Sequence, residues 1–293
     1  MKLVRFGPAG QEKPGLVDAG GGIRDLSGVI PDLDGPSLST ASLEKLKALD
    51  PSSLPAAPAG ARIGPCVGRV GHFIAVGLNF ADHAAETGAP IPPEPILFNK
   101  APSCIVGPND DVIVPRGSSK LDWEVEIAIV IGERASYVAA NEALNYVAGY
   151  CLCHDVSERE FQIERGGQWM KGKSCPTFGP LGPWLVTQDE VGDVQNLGMW
   201  LDVNGQRRQT GSTKTMIFDC AQIVSYISHF MILEPGDVIT TGTPPGVGLG
   251  MKPPQFLKAG DVVTLGIEKL GEQRQTIVPF TDAIDTSGVG ARA

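Results

Sequence analysis

Short strand-like runs separated by turn residues fill most of the chain after residue 72. In order they are FIAVGL, EPILFNK, DVIVP, WEVEIAIVIG, YVAGYCLCHD, PWLVT, MWLDVNG, DVITTGT, DVVTLGI and QRQTIVPF. Only two or three segments have helical periodicity, chiefly those around residues 80–87 and 220–231. Because strands greatly outnumber helices and do not alternate with them regularly, the pattern argues against a doubly wound α/β sheet. It predicts a β-rich α+β fold with layered or rolled sheets. The 37 glycines and 24 prolines agree, since these residues favour turns.

Residues 51–65 (PSSLPAAPAGARIGP) divide the chain, because their prolines and small side chains are typical of an extended connector. Short strand-like runs and leucines at helical spacing precede this segment. We therefore predict a small N-terminal α+β domain with its Pro-rich linker at residues 1–65. A larger domain of residues 66–280 follows, and residues 281–293 form a loose tail.

The charge balance limits the partners of the protein. Lys and Arg total 24 against 33 Asp and Glu, a net charge of -9, which is the wrong sign for a non-specific nucleic-acid or anionic-membrane binder. Neither a signal peptide nor an apolar run of about 18 residues is present, so we expect a cytoplasmic protein with no membrane segment. The six cysteines include no C-x-x-C pair, and we expect them to be reduced and mostly buried.

The run from Asp122 to Ile131 is the strongest functional signal. In a strand, Glu124 and Glu126 share one face, yet both faces of this run are largely apolar. Two carboxylates about 7 Å apart on a buried strand are disfavoured unless a metal ion or a Lys or Arg side chain neutralises them. The alternative is an edge strand whose glutamates face water.

A third carboxylate, Asp155, ends the strand-like run YVAGYCLCHD. Side chains at strand ends commonly bind ligands, and three carboxylates form an all-oxygen set suited to Mg²⁺, Mn²⁺ or Ca²⁺. A zinc site at Cys151, Cys153 and His154 is the competing interpretation. No second Cys or His pair lies nearby in sequence, so core packing explains these cysteines better.

The segment GLNFADHAAETG predicts a short helix with Asn79 as N-cap and Gly88 just after its C-terminus. His83 and Glu86 stand three residues apart, so they can meet on one helix face. A carboxylate that contacts an imidazole fixes its tautomer, as a water-activating base requires. A surface contact without function is the alternative.

Two loops complete the candidates. Residues 157–183 contain the double glycine at 166–167 and many Lys, Arg and Gln residues, which predicts a mobile segment able to close over an anion or, alternatively, an ordinary solvated loop. Lys173 in this segment precedes a hydrophobic run, so its side chain is expected to be held in place. The loop TTGTPPGVGLG lacks a P-loop or dinucleotide fingerprint, but Thr241 and Thr243 could offer hydroxyls.

Taken together, the chain resembles the fumarylacetoacetate hydrolase family in the stretches GLNFADHAAETG, FNKAPSCIVGPND, LDWEVEIAIVIG, HDVSEREFQ, KGKSCPTFGPLGP and LEPGDVITTGTPPGVG. The resemblance covers roughly residues 70–280. It implies a β-rich catalytic domain of the family's C-terminal type at residues 66–280, a homodimer, and Mg²⁺ or Mn²⁺ as cofactor. It further implies that Glu124, Glu126 and Asp155 are the metal ligands and that His83 with Glu86 activates water. Lys173 would assist at the substrate oxyanion, and the implied pocket residues are Arg159, Gln162 and Thr243.

One departure from the family pattern is Asn79-Phe80, where some members supply a fourth carboxylate. The implied reaction is hydrolysis of a 2,4-diketo acid, a small 2-oxo acid, to pyruvate and a second acid. The segment GGQWMKGKSCPTFGPLGP resembles that of members acting on 2,4-diketo-3-deoxy sugar acids such as the L-rhamnonate or L-fuconate derivatives. Isomerases of 2-hydroxy-diene dioates, oxaloacetate decarboxylases, ureidoglycolate lyases and a non-enzymatic metal-stabilised binding module are the alternatives.

Overall fold

The computed structural model of the chain describes residues 1–281, so the predicted tail lies outside the described residues except for its first position. The strands are β1 (Lys2–Phe6), β2 (Lys13–Val17), β3 (Ile23–Asp25), β4 (Phe73–Gly77), β5 (Ile96–Lys100), β6 (Ile105–Val106), β7 (Val112–Ile113), β8 (Leu121–Asp122), β9 (Val125–Ile131), β10 (Val147–His154), β11 (Ser157–Glu158), β12 (Gly179–Pro180), β13 (Leu185–Thr187), β14 (Gly198–Val203), β15 (Gln206–Ser212), β16 (Val238–Thr240), β17 (Val262–Ile267) and β18 (Gly271–Val278). The α-helices are α1 (Thr40–Lys47), α2 (Ala81–Thr87), α3 (Met170–Lys173), α4 (Gln188–Val191) and α5 (Cys220–Ser228).

A nine-stranded mixed sheet in the order β3-β2-β1-β13-β10-β9-β16-β4-β5 forms the centre of the fold. Every residue of β9 is buried, as expected for a strand that is apolar on both faces. The strand predicted over residues 122–131 is interrupted at residues 123–124, because β8 pairs with β11 instead of continuing into β9. This interruption places Glu124 between two ladders.

The N-terminal strands belong to the same sheet. β1 pairs antiparallel with β13 through Lys2 and Leu3, and β2 and β3 extend the edge from there. Arg5 on β1 is buried and its Nε donates to Asp32 Oδ1 at 2.6 Å. The hydrogen-bonded sheet thus includes residues on both sides of the connector, and the division into domains of residues 1–65 and 66–280 stays a prediction.

A second sheet, in the order β15-β14-β17-β18-β7, lies against β9 and β10. Buried glutamines join the two sheets: Gln273 Nε2 donates to Leu152 O at 2.9 Å, and Gln209 Oε1 accepts from Val125 N at 3.0 Å. These bonds satisfy backbone groups where β9 and β10 end, which stabilises that edge of the sheet. The predicted β-rich α+β architecture with layered sheets is confirmed.

Helix α2 begins one residue later than predicted. Phe80 is the N-cap, and the Asn79 side chain instead donates to Phe218 O and Thr241 O and accepts from Phe218 N. The N-cap prediction for Asn79 is therefore wrong, because a tertiary partner took its amide. Gly88 does end the helix, in the left-handed conformation at φ +68°.

The helices elsewhere are short. Within residues 1–281, none is long and apolar enough to cross a membrane. The six cysteines are free thiols, and all but Cys175 are buried.

Candidate metal centre and adjoining cavity

The candidate site lies where neighbouring strands β10, β9, β16, β4 and β5 of the nine-stranded sheet begin or end. The antiparallel register of β9 with β10 and β16, and the parallel pairing of β16 with β4, bring these strand ends side by side. A cavity opens there, lined by Val76, Gly77, Leu78, His83, Phe98, Glu124, Glu126, Asp155, Arg159, Gln162, Trp169, Lys173, Gly242 and Thr243. All the site residues that the family resemblance implies, except Glu86, are among them.

Three carboxylates converge at one end of this cavity. Oxygen atoms of Glu124, Glu126 and Asp155 all lie within 4.8 Å of one another, and all three residues are buried. Asp155 N donates to Glu124 O at 3.0 Å, which holds the end of β10 beside the start of β9. An edge strand with glutamates facing water is therefore the wrong interpretation.

The zinc alternative finds no support in the described residues. Cys151 and Cys153 lie in the hydrophobic core, and burial raises the pKa of each thiol well above its usual value. The His154 ring pairs with Gln275 Oε1 at 3.0 Å, and burial lowers its pKa to about 4. Among residues 1–281, the one group of three or more His, Cys, Asp or Glu side chains close enough to hold a metal ion is the all-oxygen set of Glu124, Glu126 and Asp155.

Two of the three carboxylates are paired with buried cations. Lys173 Nζ donates to Glu124 Oε2 and to Asp155 Oδ2, both at 2.7 Å, and Arg159 Nη2 donates to Glu124 Oε1 at 2.7 Å. Burial alone would raise the pKa of Glu124, but Lys173 and Arg159 outweigh it and hold that pKa well below its usual range. The sequence analysis left open whether a metal ion or a Lys or Arg side chain neutralises these carboxylates, and the structure shows that Lys173 and Arg159 do pair with them.

Lys100 is a site residue that the sequence analysis missed. Its fully buried Nζ lies 2.5 Å from Asp155 Oδ1 and 2.5 Å from Lys173 O, so it holds both a carboxylate and the backbone beside another cation. Burial would lower the pKa of Lys100, but Asp155 raises it above the usual value. The one local signal was a lysine ending the apolar run EPILFNK.

Asp122 is the second missed residue. Its Oδ2 accepts from Arg159 Nε at 2.7 Å, and its carboxylate also accepts from the backbone N–H groups of Gly248 and Leu249. Asp122 therefore orients the arginine that contacts Glu124. It also fixes the loop after β16 against the site.

Glu126 differs from its neighbours because the bond to it comes from a backbone group, Gly242 N at 2.9 Å. Burial, with the negative charges of Asp155 and Glu124, raises the pKa of Glu126 well above its usual value. Four carboxylates, including Asp122, thus face the three cations of Arg159, Lys173 and Lys100. A hard-oxygen cluster with one uncompensated carboxylate fits a divalent cation such as Mg²⁺ or Mn²⁺.

Metal affinity should rise with pH. The raised pKa means that Glu126 holds a proton in the metal-free protein at pH values where an ordinary glutamate is ionised, and a metal ligand must release it. Calorimetric titration of the apoprotein with Mn²⁺ in two buffers of different ionisation enthalpy should show proton release on binding. Glu126→Gln should remove that release. Equal proton release in the variant and the wild type would contradict the assignment.

His83 and Glu86 meet on α2 as predicted. His83 Nδ1 lies 3.1 Å from Glu86 Oε2, and the Glu86 carboxylate also accepts from Gly246 N at 3.1 and 3.2 Å. His83 lines the same cavity as the carboxylates, which distinguishes the pair from an unrelated surface contact. The loop TTGTPPGVGLG thus holds Glu86 in place.

The predicted pocket residues surround the carboxylates. Gln162 Oε1 accepts from Arg159 Nη1 at 3.0 Å. The Thr243 hydroxyl donates to Val125 O at 2.9 Å and accepts from Gln209 Nε2 at 2.8 Å, so both of its hydrogen-bonding roles are used within the protein. Thr243 lines the cavity, and its contact with substrate stays a prediction.

The segment 157–183 is folded over the cavity, with a π-helical turn at Glu160–Glu164 and then α3. Arg165 pairs with Glu160 at 2.8 Å, and Lys171 Nζ donates to Arg165 O at 2.6 Å. Neither side chain lines the cavity. Closure of this segment over an anion stays a prediction.

The family follows from a match to the model of the fumarylacetoacetate (FAA) hydrolase C-terminal domain over residues 72–278. The chain belongs to this family, and the resemblance seen in its sequence is confirmed. A relative from Burkholderia ambifaria is 62% identical over 277 residues, covering 94% of this chain and 98% of its own length. That relative carries only the provisional name of a hydrolase.

Solved structures agree on the fold. Fumarylacetoacetate hydrolase from Exiguobacterium antarcticum is 36% identical with a TM-score of 0.84, and 5-carboxymethyl-2-hydroxymuconate delta-isomerase from Mycobacterium smegmatis is 31% identical with a TM-score of 0.76. Maleylpyruvate hydrolase from Sphingobium sp. SYK-6, solved with manganese(II) and pyruvate, is 27% identical with a TM-score of 0.79. Each comparison covers 96% of this chain and 100% of the other.

Proposed function

We propose that this protein is a metal-dependent hydrolase that cleaves the bond between carbons 3 and 4 of a 2,4-diketo acid, giving pyruvate and a second acid. One observation carries the proposal: the buried carboxylate triad and the His83–Glu86 pair border the same cavity. The manganese and pyruvate in the Sphingobium enzyme support it, because a 2-oxo acid and a divalent ion occupy that related protein.

Glu124, Glu126 and Asp155 are the residues that would hold Mg²⁺ or Mn²⁺. When bound, the ion supplies positive charge that stabilises the enolate of the departing pyruvate. Asn79 cannot act as a fourth carboxylate, and its amide is already engaged with residues of the α5 and β16 connections.

His83 acts on water in this mechanism. Glu86 holds the tautomer with the proton on Nδ1, so that the lone pair lies on Nε2. Nε2 takes a proton from water as the oxygen adds to carbon 4 of the substrate. The bond between carbons 3 and 4 then breaks, its electron pair passes to carbon 3, and the imidazolium returns the proton there. Water and diketo acid thus become pyruvate and a carboxylic acid.

The surrounding cations bind the substrate's anionic end. Lys173 and Arg159 lie beside the triad, where their charges favour a carboxylate and a developing oxyanion. Gln162 is held by Arg159 and presents its amide to the same space.

Measuring the cleavage of two 2,4-diketo acids, one with and one without hydroxyl groups, tests the proposed reaction and its substrate. The resemblance of GGQWMKGKSCPTFGPLGP to members acting on sugar acids favours a hydroxylated acyl group, and Arg159, Gln162 and Lys173 are the Lys, Arg and Gln residues of segment 157–183 that line the cavity. We expect pyruvate release, measured with lactate dehydrogenase and NADH, from 2,4-dioxopentanoate. A higher kcat/KM for a hydroxylated 2,4-diketo acid would support the sugar-acid substrate. No pyruvate from either compound would overturn the proposal.

Isomerisation of a 2-hydroxy-diene dioate is the second candidate, because a probable 2-hydroxyhepta-2,4-diene-1,7-dioate isomerase from Mycobacterium abscessus shares the fold at 33% identity. Isomerisation moves a proton and adds no water, so it yields no pyruvate.

The homodimer implied by the family likewise remains a proposal, for which light scattering of the purified protein is the measurement.

A further inference from the structure

The cavity has two chemically different ends. The carboxylates and their cations lie at β9 and β10, whereas Val76 and Leu78 lie at the end of β4 and Phe98 lies on β5. The two ends adjoin at Lys173, whose Nζ lies 2.7 Å from oxygens of Glu124 and Asp155 and 5.4 Å from the Phe98 ring. One end therefore suits an anionic head and the other suits an apolar tail.

Trp169 forms the wall of the apolar end. Its ring packs edge-on against Phe98, with centroids 5.3 Å apart at 66°, and Phe98 in turn lies 5.4 Å from Lys173 Nζ. Trp169 immediately precedes α3, whose last residue is Lys173. The same short helix thus positions both Trp169 in the aromatic wall and Lys173, which pairs with Glu124 and Asp155.

Gly77 makes the position of this tryptophan possible. A Cβ on Gly77 would lie 2.3 Å from Trp169 Cζ3, closer than any real contact. The φ angle of Gly77 is not positive, so the backbone does not require glycine there. Space for the indole is the reason that a side chain is missing at this position.

We infer that Trp169, seated on Gly77 and Phe98, determines the length of the acyl group that the site accepts. This inference rests on the proposed function for the orientation of the substrate, with its 2-oxo acid end at the triad and its acyl end toward Trp169. A short acyl chain packs against the indole, and a longer chain collides with it. An apolar wall of this kind discriminates by about 10- to 200-fold per methylene group.

Binding of simple 2-oxo acids tests the inference without requiring any bond cleavage. We would titrate the Mn²⁺-loaded protein with pyruvate, 2-oxobutanoate, 2-oxohexanoate and 2-oxooctanoate by calorimetry. In Trp169→Ala, the ratio of the Kd of 2-oxooctanoate to the Kd of pyruvate should fall by about tenfold or more compared with the wild type. The Kd of pyruvate itself should change less than about twofold. Trp169→Phe should give an intermediate profile.

A double-mutant cycle separates the proposed contact from a general structural effect. Gly77→Ala should alter the length profile in the wild-type background, because the new methyl group displaces the indole. The same change should leave the profile of Trp169→Ala unaltered. An unchanged length profile in Trp169→Ala and Trp169→Phe, or an equal loss of affinity for all four acids, would overturn the inference. Absence of pyruvate release by the wild type would instead overturn the proposed reaction and would leave this binding test valid.

Discussion

Removal of divalent cations with EDTA should abolish pyruvate release from 2,4-dioxopentanoate, and Mg²⁺ or Mn²⁺ should restore it. The physical reason is the charge balance at the sheet edge, where Glu126 lacks a cationic partner among its hydrogen bonds while Glu124 and Asp155 have theirs. Without an added positive charge, the enolate of the product would form beside a cluster of carboxylates. Metal content should be verified by elemental analysis.

Glu126→Gln is the most informative variant for this prediction. It removes a ligand oxygen's charge without leaving a buried cation unpaired, so we expect loss of activity with little change in the free energy of unfolding. Asp155→Ala is the contrasting variant, because it leaves Lys100 without a buried carboxylate and leaves Lys173 with Glu124 alone. Breaking buried ion pairs in this way typically costs about 3–5 kcal/mol. Full activity of a verified metal-free protein would contradict the metal assignment.

His83→Ala should lower the rate of diketo acid hydrolysis by roughly 10² to 10⁴, the usual contribution of a general base. Glu86→Gln should lower it less, because the amide can still contact the imidazole and Gly246 N but no longer carries the charge that stabilises the imidazolium. Mn²⁺ affinity should change less than about twofold in both variants, since neither residue belongs to the triad.

The control for this prediction is a reaction that needs no activated water. If the His83→Ala protein retains decarboxylation of oxaloacetate while it loses hydrolysis, the histidine acts on water. Loss of Mn²⁺ from His83→Ala would identify the histidine as a ligand and would contradict the mechanism. Hydrolysis at the wild-type rate would show that the His83–Glu86 pair is incidental.

Local periodicity was enough to find the main chemical groups. Alternation along residues 122–131 placed Glu124 and Glu126 on one face, and the end of the following hydrophobic run pointed to Asp155. The three-residue spacing of His83 and Glu86 predicted their contact in the same way. These features depend on neighbours within a few positions, so they can be read from the chain alone.

One expectation failed where a distant partner competed with the local pattern. Asn79 has the residue type of an N-cap, yet its amide bonds Phe218 and Thr241, which lie far along the chain. Within the polar segment from Arg159 to Lys173, Arg165 pairs with Glu160 and does not line the cavity, and closure of the segment over an anion stays a prediction. In both cases, a side chain with several possible partners took the one that the fold brought closest.

The sequence of this protein thus specifies its strand-rich class and the carboxylates of its candidate metal centre, because alternation and short spacings encode them locally. Its family was recognised from the resemblance of longer sequence stretches and is confirmed by the family model. Tertiary structure alone brought Lys100 to Asp155, Gly246 to Glu86 and Trp169 to Gly77. These pairs stand 55, 160 and 92 positions apart, and no local period relates residues at such distances. The charges that balance the triad and the wall that limits the acyl chain therefore arise from the order in which the strands meet at one edge of the sheet.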